Sequence, residues 1–233
     1  GDSDIQIRMQ ICFLINQIAP GGAPTLLLDI IRNTEDPDIS YTLCVIEGDR
    51  SLVDEFNDAG AEVIDFQAAF KFDPRALYRM FRFFRRRQFD ILHAHLPYSE
   101  TFGRIFGYLG GNQAIVSTQH NVPDNYHPIT RTLERLTRRL DTRTIAVSEG
   151  VEQAFTGNSS RYEPGQHRQW CTIYNGIDVK SFRQNVMDAD PQIVREQWDV
   201  DADLIYLNIS RYVEAKAQTD LIAAMTDVVE TES

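Results

Sequence analysis

The sequence predicts an α/β protein built on a doubly wound parallel sheet, and three observations carry that reading. Short, continuously apolar runs recur along the chain, as strands buried on both faces require. Between them lie segments whose apolar residues fall at helical spacing. The two patterns alternate from end to end, the mark of parallel strands joined by crossover helices.

Ile11-Cys12-Phe13-Leu14-Ile15 is the first strand. Pro20-Gly21-Gly22-Ala23-Pro24 then breaks the apolar pattern, and Pro24 suits the first turn of a helix running to Arg32. Tyr41 to Ile46 reads as the second strand, Leu52 to Ala59 as a helix and Ala61 to Phe66 as the third strand. Asp73-Pro74 opens a helix whose apolar positions Leu77, Met80, Phe81 and Phe84 share a side, with arginines covering the other. Further strands follow at Asp90 to Ala94, Ala114 to Thr118, Thr144 to Val147 and Cys171 to Tyr174, and the polar stretch 157–169 reads as loop. Right-handed crossovers bring all the strand ends to one edge.

The chain therefore divides into a Rossmann-like domain over 9–178, a polar linker over 179–203 and a short strand–helix stub of a second Rossmann-like domain over 204–233. Leu204-Ile205-Tyr206-Leu207-Asn208-Ile209 is the strand of that stub. The rest of the second domain is expected to lie outside these residues.

At 42% hydrophobic residues the chain has ample material for a core. Its net charge of −11 disfavours nucleic-acid binding. Lys71, Lys180 and Lys216 are the only lysines, a bias that fits a salt-adapted proteome or an arginine-rich genome. Apolar runs such as Thr25 to Ile31 are too short to span a bilayer, and the acidic start lacks a signal-peptide pattern. A cytoplasmic protein is expected. Cys12, Cys44 and Cys171 sit far apart in strand-like runs, which implies buried free thiols and neither disulfides nor zinc. Of the sequons at Asn158 and Asn208, the second falls in an expected strand, so neither supports secretion.

In open α/β sheets ligands bind at the carboxyl edge of the strands. Pro20-Gly21-Gly22-Ala23 lies there, where glycines let backbone N–H groups approach an anion at a helix N-terminus. It is neither GxGxxG nor a Walker loop, and a tight structural turn is the competing reading. Arg211 and Lys216 flank the start of the last helix, and two fixed cations beside a helix N-terminus make a diphosphate site. His120, followed by Asn121, leaves the fifth strand at the same edge, placed to donate to a substrate hydroxyl, to work as acid or base, or to bond loop backbone. His93 and His95 form an H-x-H pair, but no nearby carboxylate–histidine set completes a metal site; hydrogen bonding in the core or at the edge is the main reading, and contact with an acceptor the alternative. Arg79, Arg82, Arg85, Arg86 and Arg87 interleave with phenylalanines, as a phosphate-binding or membrane-surface patch or simply a solvated helix face. Arg131, Arg135, Arg138 and Arg139 repeat the pattern. No nucleophile motif is visible.

These stretches together resemble the retaining glycosyltransferases of family 4, which have two Rossmann-like domains in the GT-B architecture. The matching residues are Gly21-Gly22-Ala23, Phe89 to His95, Ser117-Thr118-Gln119-His120-Asn121, Ile145 to Glu149, Ile173 to Asp178 and Ser210 to Lys216. The resemblance implies transfer from a nucleotide-diphospho-sugar held between the domains to a glycan, a lipid-linked sugar or a small molecule. It further implies polysaccharide or cell-envelope biosynthesis at or near the membrane's inner face. Gly21 and Gly22 would meet the donor diphosphate, while Arg211 and Lys216 would stabilise the leaving group in place of a metal. His120 would contact the transferred sugar. Lys71, Tyr98 and Asn121 would face the acceptor, and no cofactor is implied.

The sequence departs from the family at Ser210 and Ala217, where glycines are usual, and at Ala23-Pro24-Thr25, where Ala-Glu-Arg is common. The family's paired glutamates would belong to the remainder of the second domain, so these 233 residues alone are expected to be inactive. Rival readings are a sugar-nucleotide epimerase or glycoside phosphorylase on the same architecture, and a non-catalytic carbohydrate-binding relative.

Overall fold

A computed structural model describes residues 8–201, 205–210 and 212–232. They fall into two compact units that divide between Phe182 and Arg183.

The first unit alternates strand and helix: β1 (Met9–Ile15), α1 (Gly22–Arg32), β2 (Ile39–Glu47), α2 (Val53–Asp58), β3 (Ala61–Ala68), α3 (Pro74–Arg86) and β4 (Ile91–His95). It continues through α4 (Pro97–Gly110), β5 (Ala114–Gln119), α5 (Pro128–Thr137), β6 (Arg143–Ala146), α6 (Glu149–Thr156) and β7 (Trp170–Thr172). The seven strands form one sheet in the order β3-β2-β1-β4-β5-β6-β7, every neighbour parallel. From β1 the chain winds outward through β2 and β3, returns to β4 and then winds the other way. The winding therefore reverses between β1 and β4, the place where this class of sheet opens a crevice.

Alternation along the strands divides the core in two. Cys12, Leu14, Leu92 and Ala94 pack with Met80, Phe84, Phe89 and Phe102 on one face. Phe13, Ile15, Leu43 and Val45 pack with Leu27, Leu28, Ile31 and Phe56 on the other. All three cysteines are buried and unpaired. Asp73 starts α3 by accepting a hydrogen bond from the Arg75 N–H at 2.9 Å, with Pro74 in the first turn. Gly103, Gly107 and Gly110 form a bare stripe on α4, which lets it lie close to the sheet and to α3. A Cβ at Gly107 would come within 2.6 Å of Leu92 Cδ2, and one at Gly110 would run into the Phe84 carbonyl.

The second unit begins within α7 (Val179–Asp188) and adds α8 (Pro191–Gln197), a 3-10 turn at Glu214–Lys216 and α9 (Gln218–Glu232). The stretch read as a polar linker thus carries two helices. Of the strand expected over 204–209, Leu204 lies outside the described residues, and 205–210 carry no strand. Leu207 and Ile209 are 78% and 87% exposed. A sequence suited to a strand buried on both faces takes its β structure from neighbouring strands, and the second unit has none among its described residues. No helix among the described residues is long and apolar enough to cross a membrane.

The glycine stripe has a measurable consequence. Gly110→Ala is expected to lower unfolding free energy in urea by about 1–3 kcal/mol, because the obstacle is backbone. Gly107→Ala should cost less, since the Leu92 methyl can turn aside.

Candidate active site

The parallel sheet places the exits of β1, β4 and β5 side by side. Asn16, just beyond β1, ties that exit to the end of β2 and to the first turn of α4. Its carbonyl accepts from Ile46 and Glu47 N–H at 3.2 and 2.8 Å, and its side-chain oxygen accepts from Ser99 N–H at 3.0 Å. Gly21 and Gly22 are exposed at the start of α1, whose N-terminus has no side-chain cap. A Cβ at Gly22 would meet nothing within 4 Å, so no neighbouring side chain demands glycine there. The amides stand open.

Leu96, between β4 and α4, has φ 76° and ψ 143°, a costly conformation for a leucine. Gln67, near the end of β3, and Phe72, in the turn from β3 to α3, are also left-handed at φ 50° and 65°. Backbone strain is therefore concentrated at the edge where the glycines lie. The β3–α3 turn carries Lys71, which is exposed. Tyr98 accepts a hydrogen bond from Phe72 N–H at 2.8 Å and packs edge-on to the Phe72 ring. Its ring is buried, so Tyr98 holds the Lys71 turn rather than presenting itself to solvent.

Three imidazoles line the exits of β4 and β5. His93 and His95 share a face of β4 and stack at 4.2 Å between ring centroids, beside the Phe13 ring. His93 Nε2 bonds Thr118 Oγ1 at 2.7 Å, and His95 Nδ1 lies 3.2 Å from His120 Nε2. Burial pushes the pKa of His93 down to about 3 and lowers those of His95 and His120 as well. No group of three His, Cys, Asp or Glu among the described residues has the geometry of a metal site.

Behind His120 lies a charge cluster that the sequence reading missed. Arg104, fully buried on α4, donates from Nε and a terminal nitrogen to both oxygens of Asp141 at 2.9 and 2.8 Å. Glu100 and Glu134 lie 3.5 and 3.8 Å from the same guanidinium. Ser117 and Thr144 also donate to Asp141, at 2.9 and 3.0 Å. Glu100 accepts from the Gln119 amide at 2.5 Å, Gln119 Oε1 accepts from Tyr126 Oη at 2.8 Å, and that hydroxyl lies 3.2 Å from the Asn121 carbonyl. A continuous chain of bonds thus runs from the buried cation to the loop that carries His120 and Asn121. The legible signal was two charges four residues apart, Glu100 and Arg104, in an otherwise apolar, aromatic helix.

At the sheet's far side Ser148 caps α6 through Val151 N–H at 3.2 Å, and Glu149 pairs with Arg161 at 2.6 Å. Asp178 starts α7 by accepting from Lys180 and Ser181 N–H, both at 3.0 Å. A groove of about 390 Å³ runs between Leu26, Asp29 and Ile30 of α1, Asn33 just past its end, and the segment Gly176–Val179.

In the second unit, Arg211 lies outside the described residues. Lys216 is exposed at the end of the 3-10 turn, and Ala217 follows it at φ 50°, the left-handed region that glycine adopts most easily. The alanine in place of the family's usual glycine is accommodated with strain. Gln218 reaches back from the start of α9 to Ser210 Oγ at 2.8 Å and closes the loop.

The doubly wound parallel sheet matches the fold of GT-B glycosyltransferases. The chain belongs to glycosyltransferase family 4: the profile described as Glycosyltransferase Family 4 matches residues 20–181. Among solved structures, Anabaena Alr3699/HepE in complex with UDP and glucose is similar at TM-score 0.61 and 21% identity, over 82% of this chain and 50% of that one. The apo lipopolysaccharide outer core galactosyltransferase WaaB matches at TM-score 0.56 and 13% identity, over 74% and 47% of the two chains. The UDP-GlcNAc 2-epimerase of Methanocaldococcus jannaschii matches at TM-score 0.52 and 10% identity, over 84% and 54%. At these identities the likeness is one of fold, and the chain spans about half the length of the structures it matches. No curated protein matches the sequence.

The charge cluster makes stability pH-dependent in a definite sense. Burial is the main cause that raises Glu100 from 4.5 to about 8, outweighing the nearby Arg104. Between those values the folded protein holds a proton that the unfolded chain releases. The resulting stability is complete below pH 4.5 and lost as pH rises through 8. Glu100→Gln, which mimics the protonated acid, should therefore gain on the parent as pH rises. The gap at pH 8.5 in urea unfolding is expected to be on the order of 2–4 kcal/mol.

Proposed function

We propose that this chain is part of a retaining glycosyltransferase that moves a sugar from a nucleotide-diphospho-sugar to a glycan or lipid-linked acceptor. The single observation that carries the proposal is that an uncapped glycine turn after β1 and the His120 loop after β5 leave the same carboxyl edge of the sheet, on either side of β4. Family membership supports the reading, as does the likeness to Anabaena HepE, whose structure was solved in complex with UDP-glucose.

In this reading the amides at Gly21 and Gly22 receive the donor's diphosphate, a dianion suited to a helix N-terminus. Lys216 and Arg211 neutralise the charge that grows on the leaving diphosphate, so that no metal ion is needed. His120 contacts the transferred sugar. Lys71 and Asn121 face the acceptor, with Tyr98 holding the Lys71 turn. The exposed face of α3 gives the protein a means of peripheral membrane contact. Arg75, Arg82, Arg85 and Arg86 lie along it, and none of the ion pairs among the described residues engages them. On a chain of net charge −11, four guanidinium groups on one helix without carboxylate partners suit an anionic surface.

The test uses the protein at its encoded length, a panel of nucleotide sugars and candidate acceptors, and a readout of nucleoside diphosphate release. Lys216→Ala and Arg211→Ala are each expected to lower kcat about 100-fold or more, the scale of losing one preorganised charge partner. Product that keeps the donor's anomeric configuration, formed in the presence of chelator, is the second expectation. Conversion of the nucleotide sugar without any acceptor would point instead to an epimerase. Full activity in both variants would overturn the proposed roles.

A further inference from the structure

The buried imidazole of His95 has one nitrogen engaged and one stranded. Its Nδ1 meets His120 Nε2 at 3.2 Å, while its Nε2 is buried with no partner. His95 is 1% exposed, so bulk solvent does not reach it. A neutral imidazole carries its proton on one nitrogen only, and the bond between two such rings needs a donor on one side and a lone pair on the other. Two arrangements satisfy it, and they leave opposite chemistry at the site. With the proton of His95 on Nε2, a buried N–H is orphaned and His120 turns a lone pair outward. With that proton on Nδ1, only a lone pair is orphaned, and His120 turns an N–H outward. Orphaned N–H donors are the rarer and costlier of the two defects.

We infer that His95 is a positioning residue that donates from Nδ1 to His120 Nε2, and so fixes His120 as a neutral ring with its proton on the outward Nδ1. His120 Nδ1 has no hydrogen bond within the described residues and is not among the buried unpartnered atoms. His120 is thereby a hydrogen-bond donor towards the crevice and not a proton shuttle. Its one basic nitrogen is occupied by His95.

The surroundings hold this state. The ionisable groups stacked along the row are His93 and His95 from β4 and His120 from the exit of β5. A second positive charge anywhere in that row is opposed by its neighbours, and burial lowers the pKa of all three rings. His93 is anchored in turn by Thr118, which directly faces His95 in the ladder. The row thus acts as a fixed support whose last member reaches the edge. That the outward N–H meets a substrate hydroxyl rests on the glycosyltransferase reading; the proton's position does not.

The two parts are tested separately. In the chain labelled with ¹⁵N-histidine, long-range proton–nitrogen correlations report which ring nitrogen bears the proton, with His120→Gln assigning the signals. The expected pattern for His120 is a protonated Nδ1 and a bare Nε2 that persists as pH falls through the ordinary imidazole value of 6.5. His95→Phe, which keeps a ring in the space, should release His120 to the other tautomer. His95→Gln, whose amide can still donate, should restore the parent pattern. A protonated His120 Nε2 in the parent, or the same tautomer in His95→Phe, overturns the inference.

At encoded length, His95→Phe is expected to lower kcat roughly 10- to 100-fold, with recovery in His95→Gln. Unchanged turnover alongside the expected tautomers would leave the proton assignment standing and remove its role in transfer.

Discussion

The Arg104–Asp141 pair is the interaction on which the rest of this edge depends. A guanidinium with no exposure to solvent is tolerable only with its charge and its donors answered, and Asp141 answers both through a two-pronged bond. That pair joins α4 to the segment entering β6, while Ser117 adds β5 and Thr144 adds β6 itself. Three carboxylates around one cation exceed what it can neutralise. Glu100 lessens the excess by keeping a proton up to about pH 8, and in that form it bonds the Gln119 amide from which the His120 loop departs. Charge balance in the core thus sets the position of a loop at the surface.

The sheet and the site make different demands on the chain. Packing against two faces asks for apolar residues of the right size, which α4 meets with glycines where it touches the sheet. The carboxyl edge asks for particular atoms in particular places, and the chain accepts strain to supply them. Leu96 at φ 76° turns the chain from β4 into α4, and Gln67 and Phe72 shape the turn that carries Lys71. These costs fall on one edge because the parallel sheet sends every strand exit there. Among the described residues of the first unit, the opposite edge carries no left-handed residue other than glycine.

The strands of the first unit were legible because burial on both faces writes itself as continuous apolar runs, such as Ile11 to Ile15. The glycine turn and the histidines were legible as candidates because alternation and winding assign them an edge. What could not be read were contacts that depend on register. His95 and Thr118 lie side by side only because β4 and β5 pair as they do, and the approach of His120 to His95 follows from that. Arg104 and Asp141 are 37 positions apart and meet only after three elements have packed. The misread strand at 204–209 has the converse cause: its composition suits a buried strand, but a strand is made by its neighbours and not by its own residues.

Burial of the cysteines gives the molecule an internal gauge of its own integrity. Cys12, Cys44 and Cys171 are all enclosed, with the Cys12 and Cys44 sulfurs 3.6 Å apart across adjacent strands. Burial raises the pKa of Cys12 and Cys171, so each is held as the unreactive thiol. Alkylating reagents have no purchase on the closed sheet, and each modified sulfur therefore records an opening of the strand that bore it. β1 and β2 at the middle and β7 at the rim would register separately, so that fraying of the edge and rupture of the centre leave different chemical traces.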